Sequence, residues 1–97
     1  MPSSTAYVAT DAAARYAKQL ASHLGRRVEV EDLPGDGHRL TLPAGEGVLT
    51  PEADRLVMRA IAADAESLEV VKDVLGRHLE RFGQRRELVV TWQDDAS

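Results

Sequence analysis

The chain has 97 residues, no cysteine and a formal net charge of −4. That length is one domain's worth, the lack of thiols excludes a disulfide framework and any thiolate chemistry, and the acidic balance argues against a nucleic-acid partner, which needs a basic face. The opening MPSSTAYVAT has no basic run followed by an apolar core, and no apolar run reaches the roughly 18–20 residues that span a bilayer, so no leader and no membrane partner are expected and the expected compartment is the cytoplasm.

Taken in order, residues 1–4 read as a loose tail and Thr5–Ala9 as a short strand carrying Tyr7 and Val8. Thr10 or Asp11 is placed to cap a helix over Asp11–Leu24. Its apolar stripe is Ala13, Tyr16, Ala17, Leu20 and Leu24, while Arg15, Lys18, Gln19 and Ser22 fall on the wet side. Gly25 follows as the expected C-cap. Arg27–Leu33 alternates through Val28 and Val30 against Glu29 and Glu31, the pattern of a half-buried strand. Pro34-Gly35-Asp36-Gly37 is a turn signal, and His38–Leu42 alternates again through Leu40 and Leu42, so the pair reads as a β-hairpin. Pro43-Ala44-Gly45 breaks the strand, and Glu46–Thr50 is a further short one. Arg55–Ala62 follows, with Leu56, Met58 and Ala60 on one face and Val57, Arg59 and Ile61 on the other.

The longest helical pattern is Asp64–Gly83, with Leu68, Val71, Leu75, Leu79 and Phe82 at steps of three and four. Asp64 can cap its start, Arg77 and Arg81 sit against the negative end of the dipole, and Gly83 is the expected stop. A polar link, Gln84–Glu87, leads to a last strand over Leu88–Gln93, and 94–97 reads as a second loose tail. The order β-α-β-β-β-β-α-β predicts a single α+β domain over 1–97, in which two helices pack on one face of an antiparallel or mixed sheet of six strands. The other face carries Glu29, Glu31, Thr41, Arg59 and Thr91, with Val57, Ile61 and Val89 as an apolar strip. Thr5–Ala9 or the hairpin is expected at an edge, and the expected state is a monomer or weak homodimer that uses the open face or an edge strand.

No group of residues assembles a nucleophile, a base and an oxyanion hole, so no catalytic residue is assigned and the reading leans away from an enzyme. No HExxH, CxxC or i, i+4 histidine pair is present, so neither a metal nor a cofactor is assigned. His23 and His78 both lie near helix C-termini. At about 100° per residue each falls on the same rotational flank of its stripe, so helices side by side are expected to keep the two apart. Arg77, Arg81, Arg85 and Arg86 form a basic patch, read as a solvated helix end paired with Glu80 or Glu87.

The stretches Val8-Ala9-Thr10, Arg15-Tyr16-Ala17-Lys18-Gln19-Leu20 with His23, and above all Arg77-His78-Leu79-Glu80-Arg81-Phe82 resemble domain-of-unknown-function family 2218 over nearly the whole chain. The resemblance implies a candidate functional surface at Lys18, Gln19, His23, Arg77, His78, Glu80, Arg81 and Phe82. Ala21 stands where a cysteine is common in that family, and Leu24 where an aromatic is common. Some members are fused to siderophore-interacting, flavin-dependent ferric reductases, which implies a partner of that kind. The expected function is therefore a small bacterial accessory or binding domain associated with siderophore-iron utilisation. The alternative is a small enzyme or metal-binding protein using helix-end His and Glu residues.

Overall fold

The computed structural model describes residues 2–82 and 88–95. The elements are β1 (Ser3–Ala9), α1 (Ala13–Leu24), β2 (Glu29–Leu33), β3 (Gly37–Leu42), β4 (Gly45–Pro51), β5 (Arg55–Ala62), α2 (Ala65–Phe82) and β6 (Trp92–Asp94). The strands form one sheet in the order β2-β3-β4-β5-β1-β6, every pairing antiparallel. This is the expected α+β class, with the sheet resolved as antiparallel.

Alternation decides which face of each strand is dry. Leu40 and Leu42 of β3, Leu49 of β4, Leu56, Met58, Ala60 and Ala62 of β5, and Ala6 and Val8 of β1 all point inward and are buried. Helix α1 lies against β3, β4 and β5, and α2 against β5, β4 and β1, so both cover the same face. The stripe Ala13, Tyr16, Ala17, Leu20, Ala21 and Leu24 meets the sheet from α1, and Leu68, Val71, Leu75 and Leu79 meet it from α2. Leu75 seats directly on Gly47 of β4. A Cβ added there would lie 2.8 Å from a Leu75 methyl, so the missing side chain is what lets the helix approach the sheet. In α2 the predicted cap is present: the Ser67 N–H donates to Asp64 Oδ1 at 2.7 Å.

The hairpin turn between β2 and β3 takes three residues, Pro34–Asp36, with Leu33 opposite Gly37. Gly35 at φ 74° and Asp36 at φ 63° are both left-handed, a conformation that glycine adopts freely and aspartate tolerates.

Four expectations are corrected. Helix α1 starts at Ala13, two residues late, because Thr10 Oγ1 accepts the Ala12 N–H at 3.1 Å and holds a turn ahead of the helix. Gly25 closes α1 as the expected C-cap, its N–H donating to the Ala21 carbonyl at 2.7 Å, in a right-handed conformation (φ −62°). The two ends of the chain pair with each other instead of trailing: β1 begins at Ser3, β6 reaches Asp94, and the Asp95 N–H donates to the Ser3 carbonyl at 2.9 Å. The last strand is therefore Trp92–Asp94 and not Leu88–Gln93, and Val89 lies outside it, 68% exposed. It follows that β1 is no edge, since β6 pairs with it at Ser4–Ala6; the edges are β2 and β6. The Gly83 stop, the burial of Phe82 and the link Gln84–Glu87 lie outside the described residues.

Candidate functional site

Two helices do not cover six strands, and the uncovered strips become grooves at either side of the helix layer. The larger, of about 970 Å³, runs between α1 and the β2–β3 hairpin. Arg15, Lys18, Ser22 and Arg26 line its helix side, and Asp32, Asp36 and His38 its hairpin side. The register pairs Asp32 with His38 across the strands, and His38 Nδ1 lies 3.1 Å from Asp32 Oδ1. His38 is largely covered while Asp32 is 89% exposed, so the pair sits at the groove wall with its acid in water. Cations face carboxylates across an open cleft, an arrangement suited to holding a polar ligand of mixed charge.

A second groove, of about 700 Å³, follows the outer side of α2. Its floor is Val90 and Trp92 against Gly76, where an added Cβ would come within 3.4 Å of the Trp92 indole nitrogen. Glu69, Lys72, Arg77 and Glu80 line its rim. Arg77 pairs with Asp73, 2.7 Å away and one turn earlier, in place of the expected Glu80 or Glu87. Lys72 lies 3.3 Å from Glu69 and 3.5 Å from Asp94, tying α2 to β6.

Between these grooves the C-terminal parts of the two helices meet. The His23 and His78 rings have centroids 5.2 Å apart, tilted at 47°. This corrects the expectation that they stay apart. Helical phase fixes only rotation about each axis, whereas the meeting of two helix ends depends on the tilt between axes, which packing on a twisted sheet decides. His78 Nδ1 donates to the Val74 carbonyl at 2.6 Å, which orients the ring. A small surface pocket beside it is lined by Arg77, His78 and Arg81.

At the β6 edge, hydroxyls of β1 donate to carboxylates. Ser4 bonds Asp94, while Ser3 and Thr5 bond Asp95 at 2.7 and 2.9 Å. The Ser4 hydroxyl, helped by Lys72, holds the Asp94 carboxyl below its usual value; the Ser3 and Thr5 hydroxyls, helped by Arg59, do the same for Asp95. On the open face of the sheet, Val57 and Ile61 are half-buried, and Arg55 lies over the Tyr7 ring at 4.5 Å.

The candidate residues therefore divide among three surfaces. Lys18 lines the α1 groove and Gln19 is exposed beside it; His23, His78 and Arg81 gather at the helix junction; Arg77 lines both that pocket and the α2 groove, where Glu80 lies. Arg85 and Arg86 lie outside the described residues. Sequence reasoning missed Arg15, Arg26, Asp32 and His38 as neighbours. The turn signal held the clue for the last two, because a three-residue loop flanked by Leu33 and Gly37 sets Asp32 opposite His38. Among the described residues no three His, Asp or Glu side chains gather as a metal site, and no helix is long and apolar enough to cross a membrane.

A family model described as "Uncharacterized protein conserved in bacteria (DUF2218)" matches residues 5–93. No curated protein matches the chain. The NMR structure of PA4090 from Pseudomonas aeruginosa is similar to it at 31% identity, with a TM-score of 0.79 over 96% of each chain.

Proposed function

This chain belongs to the DUF2218 family of uncharacterised bacterial proteins, and we propose that it is a non-enzymatic accessory domain that binds a polar ligand in the groove beside α1. One observation carries the reading. The larger of the two grooves opposes Arg15, Lys18 and Arg26 to Asp32, Asp36 and His38 across an open cleft. Charged groups at a wet surface hold and orient a ligand; they do not supply the water-excluded, aimed acid–base pair on which catalysis relies.

The finer reading places the domain in siderophore-iron utilisation, in the cytoplasm, beside a ferric-siderophore reductase. What supports it is the fusion context that the family resemblance implies, together with Arg15, Lys18 and Arg26 along the groove, cations that would face an anionic ferric chelate. Neither nucleic acid nor membrane is a partner in this reading, and the domain is a monomer or weak homodimer, a state that light scattering over a dilution series measures.

The test is an NMR titration of the full chain with ferric citrate and, separately, a ferric trihydroxamate, using gallium in place of iron to avoid paramagnetic loss. Amide shifts confined to α1 and the hairpin, abolished in Lys18→Glu/Arg26→Glu, are expected. Shifts elsewhere, or none at millimolar ligand, would remove the groove assignment. A pull-down from cells grown with and without iron tests the partner. Identical partner lists with no reductase among them would remove the iron context and leave the groove standing.

A further inference from the structure

The last strand of the sheet turns backbone groups outward. The Asp95 N–H donates to the Ser3 carbonyl, so Ser3 and Asp95 form a hydrogen-bonded pair at the end of the β1–β6 ladder. Such pairs alternate along an antiparallel ladder, so Gln93 directs its N–H and C=O to β1 while Trp92 and Asp94 direct theirs away from it. Among the described residues β1 is the one strand that β6 pairs with. We propose that an extended peptide segment of a partner protein adds to the sheet at β6 and lays alternate side chains in the groove between β6 and α2.

The backbone chemistry selects the occupant, because outward N–H and C=O groups at strand spacing are complemented by another strand. Residues opposite each other in paired strands share a face. Trp92 packs toward the core and lines the α2 groove. A peptide residue set opposite it therefore enters the same groove, whichever way the peptide runs. Gly76 offers no side chain where it faces the indole, and Val70, 50% exposed, supplies apolar wall on α2.

Two further features shape the peptide. Trp92 Nε1 is the atom nearest to where a Gly76 Cβ would lie, and among the described residues its N–H has no acceptor. A peptide carbonyl or polar side chain supplies one. Lys72 is answered by Glu69 and Asp94, and Arg77 by Asp73, while no cation among the described residues pairs with Glu80 at the rim. A peptide with an apolar residue opposite Trp92 and a lysine or arginine toward Glu80 fits both. The opposite edge is better defended. β2 carries Glu29, Glu31 and Asp32 among its five residues, whereas Asp94 of β6 and the adjoining Asp95 are bonded back to hydroxyls of β1.

This surface is separate from the α1 groove, and the two proposals stand or fall independently. The test selects binders of the full chain from a phage-displayed library of random decapeptides, then follows the most enriched sequence, as a capped synthetic peptide, by NMR. Alternating apolar residues with a flanking basic one are expected, with amide shifts at β6 and along Val70–Arg77 and cross-strand contacts from the peptide to Trp92 and Asp94. N-methylation of the peptide amides that face β6 should weaken binding about tenfold or more, and N-methylation of the alternate amides less than about twofold. Val70→Glu, at an exposed position, and Glu80→Lys should each weaken binding about fivefold or more while circular dichroism shows the fold intact. Lys18→Glu/Arg26→Glu, in the other groove, should leave it unchanged. No enriched sequence, shifts on another surface, equal tolerance of both N-methylated sets, or β6 edges of two copies of this chain pairing with each other in place of the peptide would overturn the proposal.

Discussion

At the β2 edge, register is set locally. A three-residue turn joins β2 to β3, five residue pairs follow, and Leu40 and Leu42 anchor the hairpin to the core. At the β6 edge only three pairs join strand to sheet, and the polar bonds from Ser3, Ser4 and Thr5 to Asp94 and Asp95 do much of the holding. The first edge is closed by turn chemistry and apolar burial, the second by side chains some ninety positions apart in the sequence. The first carries Glu29, Glu31 and Asp32, charges that discourage pairing with another chain. The second is capped by carboxylates that answer to pH. One edge is thus stable wherever the core is, and the other depends on conditions.

The largest effect is expected where both edges share support. Leu75→Ala removes a wholly buried side chain seated on Gly47 and should cost roughly 2–5 kcal/mol. Far-UV dichroism and Trp92 fluorescence should then melt together at a lower temperature. An unchanged Tm would show that this stripe is not the core face.

Ser4→Ala separates the edges. It deletes a hydroxyl that is fully buried and bonded to Asp94, and should loosen β6 by about 1–2 kcal/mol. Hydrogen exchange should quicken in β6 and the facing part of β1 while β2–β3 stays protected. Equal loss at both edges would contradict the contrast.

Acid should act in the same direction. Asp94 and Asp95 are held below the usual aspartate value of 3.8 in the folded chain. A native pKa that is lowered contributes stability that is present above the unfolded value and lost as pH falls through the native one. Between neutral pH and about pH 4 the β6 edge should hold; below that it should loosen first. Trp92 fluorescence changing before global dichroism would show this, and Asp94→Asn/Asp95→Asn should flatten the early change.

The smallest effect sharpens the α2 side. Gly76→Ala places a methyl at ordinary contact distance from Trp92 and Val90. It should raise stability by about 0.5–1 kcal/mol through helix propensity. A fall in Tm would mean that the lead-in to β6 needs the closer approach.

These differences track what was legible before the fold was known. Periodicity placed both helices, the β2–β3 hairpin and the strand Arg55–Ala62, because a buried face imposes its repeat on neighbouring positions. The Asp64 cap and the Pro34–Asp36 turn were readable for the same reason: the groups that interact lie within a few residues. The grooves and the ends were not. Strand order put β1 inside the sheet, and only that order lets Ser3, Ser4 and Thr5 hold Asp94 and Asp95. Helix tilt, absent from any helical wheel, brought His23 to His78. The sequence by itself determined which faces must be dry and where the chain turns; the tertiary structure decided which dry faces share a core, and so which polar side chains became neighbours across it.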